Sequence, residues 1–284
     1  MMATDWRQRD PLDAAAIRAA LTARGVERPL EVHQQLPSTH DRVRELAGGG
    51  APPGTAVIAD AQTAGRGRHG RSWHSPPGLG LYLSVLVEPH RLGVGLLMLS
   101  AAVAVRRAIV AAGGPTATVK WPNDLEVGGR KVCGILCEAW SGRHGALGIG
   151  INVHHADRDL PPELAGRAMS LDAMAGAPVV RNALAAQVLA ELAECEAALA
   201  RGHGAAWLHA WRAACSHLGR RVTVTSGESM LAGTALDVDR DGALRLRLDD
   251  GRVQRVLAGQ LRVVGGERAP DHTERRRHDA MPGL

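Results

Sequence analysis

The sequence predicts an α+β fold, a mixed domain followed by a small β-barrel, and three observations carry that prediction. Short apolar runs of strand length at 31–36, 55–61, 80–88, 116–120, 131–140 and 145–155 are interspersed with helical stretches. From Arg220 onward the texture changes to short alternating runs separated by Ser-Gly-Glu, Asp-Arg-Asp-Gly and Asp-Asp-Gly turns, as in a compact all-β module. The chain has 284 residues, enough for one large domain and one small one when domains centre on roughly 100 to 150 residues. The expected division is 1–219, 220–265 and a polar, aperiodic tail, 266–284, that should be disordered.

Each element has its own signal. Asp10-Pro11-Leu12-Asp13 offers a cap, a proline at the first helical position and an acid in the first turn, so one short helix should run to Leu21 and stop at Gly25. The residues before Ser38 are too few for a winged helix-turn-helix, so no DNA-binding head is expected. Ser38-Thr39-His40-Asp41 reads as a strand-to-helix junction capped by Ser38, with Asp41 at the third position. A helix at 92–112 should stop at Gly113-Gly114-Pro115. Pro122-Asn123-Asp124 is turn chemistry. Leu184, Val188, Leu192, Cys195 and Leu199 form one helical stripe, and Trp207, Trp211, Cys215 and Leu218 form another; both are core faces.

Composition narrows the class. Hydrophobic residues make up 45% and charged residues 22%, which is globular usage, while the absence of Phe leaves the core to aliphatic residues and six Trp. The polar start does not resemble a signal peptide, and the apolar stretch at 92–112 is broken by Gly93, Gly95, Arg106 and Arg107, so a soluble cytoplasmic protein with no membrane partner is expected. The cysteines Cys133, Cys137, Cys195 and Cys215 form no C-x-x-C pair and read as reduced core thiols. The net charge of +5 is modest, but residues 62–75, Gln-Thr-Ala-Gly-Arg-Gly-Arg-His-Gly-Arg-Ser-Trp-His-Ser, hold three arginines and no acid. Glycine lets backbone N–H groups converge and guanidinium forks match carboxylate or phosphate oxygens, so this loop should bind an anion. The other reading of the loop alone is a solvated basic segment of the nucleic-acid-binding kind.

Read together, four motifs narrow the choice. The basic loop followed by Pro-Pro-Gly-Leu-Gly-Leu-Tyr-Leu-Ser, then Lys120-Trp-Pro-Asn-Asp-Leu, then Arg130-Lys131-Val-Cys-Gly-Ile-Leu-Cys-Glu138, then Gly148-Ile-Gly-Ile-Asn-Val153, resemble the biotin–protein ligases in order and spacing over 38–153. The resemblance implies a catalytic domain like that of class II aminoacyl-tRNA synthetases, a mixed sheet with flanking helices, and a C-terminal barrel like Src-homology-3. It also implies an ATP-dependent, monofunctional enzyme, using Mg²⁺, that makes biotinyl-5′-AMP and transfers biotin to a lysine of a biotin carboxyl carrier domain. Lipoate or octanoate ligases on a related fold are the rival within that class, and a basic nucleic-acid-binding module is the rival from another.

Residue by residue, the resemblance places biotin contacts at Ser38, Thr39, His40, Gln62, Arg66, Gly67, Arg68 and Lys131, with His40 standing where the family usually has Asn. Arg68, Lys131 and Asp124 are the expected catalytic group: Arg68 retains the adenylate, Lys131 neutralises the carboxylate or α-phosphate, and Asp124 receives the acceptor lysine. A lysine of ordinary pKa near 10.4 is protonated at neutral pH, so a neighbouring carboxylate can orient it and help remove the proton. Arg68, Arg71, Trp73 and Asn152 are expected at ATP, with Trp73 packed on the adenine. No protein metal cage is expected, DNA is not an expected partner, and the assembly is expected to be a monomer or homodimer.

Overall fold

The computed structural model describes residues 10–140 and 143–268. Those through Cys215, with Arg240–Gly242, form one compact unit, and the rest from Ser216 form a second. The boundary lies slightly before the expected 219/220, with one three-residue turn assigned to the first unit.

The first unit is built on a seven-stranded mixed sheet in the order β1-β2-β3-β7-β6-β5-β4. Its strands are β1 (Leu30–Leu36), β2 (Ala56–Gln62), β3 (Gly80–Val87), β4 (Thr118–Lys120), β5 (Asp124–Val127), β6 (Arg130–Ala139) and β7 (Gly145–Asn152). Only the β1/β2 pair is parallel. Every residue of β3 is buried, which explains its unbroken apolar run: a strand covered on both faces loses the alternation of a half-exposed one.

Helix α1 is Ala14–Thr22, and its cap is Asp13, whose carboxylate accepts from the amides of Ala15 and Ala16. The expected start at Asp10 is therefore three residues early. Asp10 and Pro11 instead brace helix α5 (Arg181–Ala200): Asp10 Oδ2 accepts from the Arg181 amide at 2.7 Å, and the Pro11 carbonyl from Asn182 Nδ2 at 2.8 Å. Helix α2, Thr39–Gly48, is capped by Ser38 as expected, with Ser38 Oγ accepting from the His40 amide at 3.2 Å. It packs on β2, β3 and β7 around Val43, Val57, Leu86 and Ala146.

The single helix expected at 92–112 is two. Gly93 takes φ 75° and separates α3, Pro89–Leu92, from α4, Val94–Ala111. Helix α4 is long and apolar enough to cross a membrane, yet ten of its residues, Leu97 to Ile109, are buried against protein. Its partners include α5, Arg181–Ala200, and α6, Gly204–Ala214. Helix α6 ends before Cys215, so Trp207 and Trp211 hold the expected face while Leu218 lies past the helix. The segment read as a turn at 121–125 is a turn only to Asn123, including a cis Trp121–Pro122 peptide, and continues as β5.

Arg181, 1% exposed, is the first residue of α5 and reaches back to the sheet. Its Nη1 donates to Asp60 Oδ1 at 2.6 Å and to the Gly80 carbonyl at 3.1 Å, and its Nη2 donates to the Asp10 carbonyl. Beside it, His154 lies 3.0 Å from Asp10 Oδ2 and 2.6 Å from Asp172 Oδ2.

The second unit is an antiparallel five-stranded sheet in the order β11-β10-β9-β8-β12. The strands are β8 (Arg220–Ser226), β9 (Ser229–Val238), β10 (Leu244–Leu248), β11 (Val253–Val256) and β12 (Gln260–Arg268). Val222, Val224, Leu244 and Leu246 are buried at every second position. Among the described residues no strand pair closes this sheet into a barrel, and its antiparallel order is consistent with the expected small Src-homology-3-like domain. Strand β12 runs to Arg268, three residues into the 266–284 tail where disorder was expected, because it pairs with β8 from Gln260 onward; the remaining expected tail lies outside the described residues.

Candidate active site

The site is a cleft on the central strands with about 490 Å³ of empty space, part of it open to solvent. Its floor is paved with glycine. Gly134 on β6 pairs directly with Gly150 on β7, and Gly148, two residues back on the same face, pairs with Ser84 on β3. An added Cβ would lie 2.4 Å from Trp73 at Gly150, 2.7 Å from Trp73 at Gly134, and 2.9 Å from His40 Nδ1 at Gly148. The two rings therefore rest on bare backbone, His40 at one end of the cleft and Trp73 at the other.

The 62–75 segment is hydrogen-bonded along its length as a narrow hairpin. Gln62 N donates to Ser75 O at 3.1 Å, Trp73 N to Gly65 O at 2.9 Å and Gly67 N to Arg71 O at 2.7 Å. The chain reverses at His69 and Gly70, both in the left-handed region with φ 57° and 70°. Glycine is required at position 65 for close approach, since a Cβ there would meet Trp73 O at 2.5 Å and Ser75 Oγ at 2.7 Å.

The His40 end is neutral and polar. Thr39 donates its amide (2.9 Å) and hydroxyl (3.1 Å) to Gln62 Oε1, and its hydroxyl also lies 2.9 Å from Ser84 Oγ. Gln62 Nε2 donates to Ser75 Oγ at 3.0 Å, so the amide of Gln62 is engaged at both ends. The Trp73 end is basic. Lys131 Nζ lies 5.1 Å from the Trp73 ring centre and 2.6 Å from Asp124 Oδ1. Arg68 Nη1 donates to Asn123 Oδ1 at 3.1 Å, and Asn123 in turn donates to the Ile135 carbonyl. Burial pulls the Arg68 guanidinium below its usual range, opposed by the Asp124 carboxylate and assisted by Arg71. It remains a cation, but one that has shed part of its water and gains more from an anion than an exposed arginine would.

Arg66 behaves differently from the other loop arginines. It bridges Asp41 Oδ1 at 2.8 Å and Glu138 Oε1 at 3.1 Å, while Glu138 Oε2 also lies 3.3 Å from His40 Nε2 and 3.7 Å from Arg44. This ties the loop to α2 and the end of β6. Burial drives the pKa of His40 down to about 4 against the pull of Glu138, so the imidazole is neutral at physiological pH.

Of the residues singled out in the sequence, Ser38, Thr39, His40, Gln62, Arg66, Gly67, Arg68, Trp73 and Lys131 line this one cleft. Asp124 sits just behind Lys131. Arg71 is exposed on the hairpin, with Nε 3.4 Å from Arg68 O. Asn152 is buried, two residues beyond Gly150 on the same face of β7, its Nδ2 donating to Met169 O at 3.2 Å. Sequence reasoning assigned no role to Asn123, Ser84 or Glu138, or to the floor glycines Gly134, Gly148 and Gly150, although all of them stand inside quoted motifs. Strand register brings Ser84 and the glycines to one face, and register is what the motifs alone did not supply.

Comparison with known proteins agrees with this geometry. Residues 32–153 match the Biotin/lipoate A/B protein ligase family and residues 217–260 the Biotin protein ligase C terminal domain. The chain is 36% identical over 264 residues to the biotin--[acetyl-CoA-carboxylase] ligase of Mycobacterium tuberculosis, covering 90% of this chain and 97% of that one. It is 35% identical over 262 residues to the bifunctional ligase/repressor BirA of Bacillus subtilis, covering 89% and 79%. Among solved structures, the biotin protein ligase of Aquifex aeolicus in complex with biotin and ATP superposes with a TM-score of 0.74 at 28% identity, covering 84% of this chain and 99% of that one. That of Leishmania major with biotinyl-5-AMP gives 0.56 at 26%, covering 81% and 99%.

Proposed function

The chain belongs to the biotin protein ligase family, and from that premise we infer that its cleft activates biotin with ATP and passes it to a lysine of a biotin carboxyl carrier domain, as found in acetyl-CoA carboxylase. The observation that carries the reading is the polarity of the cleft: neutral hydrogen-bonding groups at His40, Thr39 and Ser84, and cations at Lys131 and Arg68. Biotin has a matching polarity, with a cyclic urea at one end and a carboxylate at the other. Lipoate ends in an apolar dithiolane, which brings no hydrogen-bonding group to the buried His40 ring, at a cost of about 1–3 kcal/mol.

In the first step a carboxylate oxygen of biotin bonds to the α-phosphorus of ATP, the bond to the β-phosphate oxygen breaks, and pyrophosphate leaves. The obstacle is bringing two anions together, and fixed cations in a water-poor cleft lower it. Lys131 and Arg68 are placed to serve there, with Asn123 holding Arg68 in position. Mg²⁺ is expected to arrive on the nucleotide phosphates, since among the described residues no group of three or more His, Cys, Asp or Glu converges as a cage. In the second step the acceptor amine attacks the acyl carbon, AMP leaves, and the amine loses a proton. Asp124 is bound to Lys131 here; once Lys131 turns to the adenylate, the freed carboxylate can take the incoming lysine. Ser38, Gln62, Gly67 and Arg66 complete the biotin end of the proposal, and Trp73, Arg71 and Asn152 the nucleotide side. A cytoplasmic monomer or homodimer completes the reading.

The test is isotope exchange. Purified protein with Mg²⁺-ATP and biotin should exchange labelled pyrophosphate into ATP; exchange supported by lipoate or octanoate but not by biotin would sink the assignment.

A further inference from the structure

The position held by His40 raises a question of chemistry. An imidazole can present either a donor or an acceptor to a ligand, depending on which nitrogen carries the proton. Three observations decide it. Nε2 lies 3.3 Å from Glu138 Oε2, a charge contact without hydrogen-bond geometry, and Arg66 ties that carboxylate to Asp41. A proton on Nε2 is favoured there, whereas a lone pair would face a carboxylate. The cationic groups around His40, Arg66 and Arg44, are themselves paired with Glu138 and Asp41, and burial holds the ring neutral. Nδ1 has no partner among the described residues and lies over the floor, 2.9 Å from where a Cβ on Gly148 would be.

Resting on the proposed function, we infer that Glu138 fixes His40 as the neutral Nε2–H tautomer, so that Nδ1 is an acceptor for one ureido N–H of biotin. The neighbouring groups fit this division. Gln62 Oε1 is taken by Thr39 and Gln62 Nε2 donates to Ser75. Ser38 Oγ accepts from the His40 amide, which leaves its own hydroxyl proton to donate to the urea carbonyl. A cyclic urea needs donors at its oxygen and acceptors at its two nitrogens, and Nδ1 is an uncommitted acceptor placed among those groups. Glu138 is a positioning residue, acting through the ring rather than on the substrate. Asn would offer a similar acceptor through Oδ1 without depending on a carboxylate.

The experiment has two independent readouts. Long-range ¹H–¹⁵N spectra of the full-length protein should show His40 neutral with its proton on Nε2, and Glu138→Gln should shift the tautomer balance. Calorimetry with biotin, and with biotin methylated on either ureido nitrogen, is run on wild type, His40→Leu and His40→Asn, with thermal unfolding to check folding. Losing the acceptor should weaken biotin on the order of 10-fold in His40→Leu, erase the discrimination against one methylated isomer, and be largely restored in His40→Asn. Glu138→Gln should raise the KM for biotin more than the KM for ATP. A proton on Nδ1 in wild type, or a folded His40→Leu that binds biotin within twofold of wild type, would overturn the inference while pyrophosphate exchange in wild type still stood. A wild type that neither binds biotin nor supports exchange would overturn the function and this inference together.

Discussion

Gly150→Ala is the most direct test of the glycine floor. The new methyl would lie 2.4 Å from Trp73 Cε2, 2.5 Å from Nε1 and 2.9 Å from Cζ2. Carbon atoms sit at about 3.5–4.0 Å when unstrained, so the indole must lift by more than about 1 Å. It cannot do so alone, because the Trp73 amide is bonded to Gly65 O and its carbonyl accepts from Ser75 Oγ; the hairpin must move with it. Overpacking of this kind costs about 1–3 kcal/mol. Charged against the ligand-competent loop position, that cost raises the apparent Kd for biotin by roughly 5- to 150-fold, at about 1.4 kcal/mol per decade. The melting temperature should change little, because the hairpin can relieve the clash by rising into solvent. Calorimetric titration with biotin, alongside Gly48→Ala as a control whose new Cβ meets nothing within 4 Å, measures the effect. A Gly150→Ala protein that binds biotin within twofold of wild type would refute the packing argument.

Other outcomes follow from the same geometry. Arg68→Gly should leave pyrophosphate exchange measurable but let reactive biotinyl-AMP escape, read as biotin on bystander proteins by streptavidin blot; unchanged acceptor selectivity would count against its retaining role. For His154, burial opposes the charged form, but hydrogen bonds and charge from Asp10 and Asp172 prevail and raise its pKa to about 9. Its folded value thus exceeds the ordinary value of about 6.5, so the stabilisation is full below about pH 6.5 and fades as pH rises through about 9. Discounted for partial exposure, the loss should be on the order of 2 kcal/mol. Urea unfolding at pH 6 and pH 9.5 should show it in wild type and not in His154→Gln; equal slopes in both would rule out this origin.

Much of this was legible in the sequence, for identifiable reasons. Ser38 caps α2 because its residue type and the following turn are local facts, and nine of the residues named for the site do line one cleft. What escaped was set by tertiary context. Asp10 looked like a cap, yet its carboxylate is engaged by His154 and the Arg181 amide, and Asp13 caps α1 instead. The stretch at 92–112 was read as one helix despite Gly93, because hydropathy does not register that this glycine takes a positive φ. Strand β12 follows weakly patterned sequence and forms because β8 offers it an edge. Glu138 carried no periodic signal, and its importance comes from two arginines and the neutral His40 ring reaching it out of two separate segments.

Buried Arg181 holds both ends of the basic hairpin. One of the acceptors it grips, Asp60, lies two residues before the hairpin leaves β2; the other, the Gly80 carbonyl, lies where the chain enters β3. Asp60 also accepts from the Gly78 amide. A single guanidinium on a distant helix therefore sets the span between the two feet of the basic hairpin. The seat of the hairpin on the sheet is thereby fixed from two remote segments, the start of α5 and the stretch before α1. Changes in those remote segments should alter how the hairpin seats without touching any residue that meets the substrate.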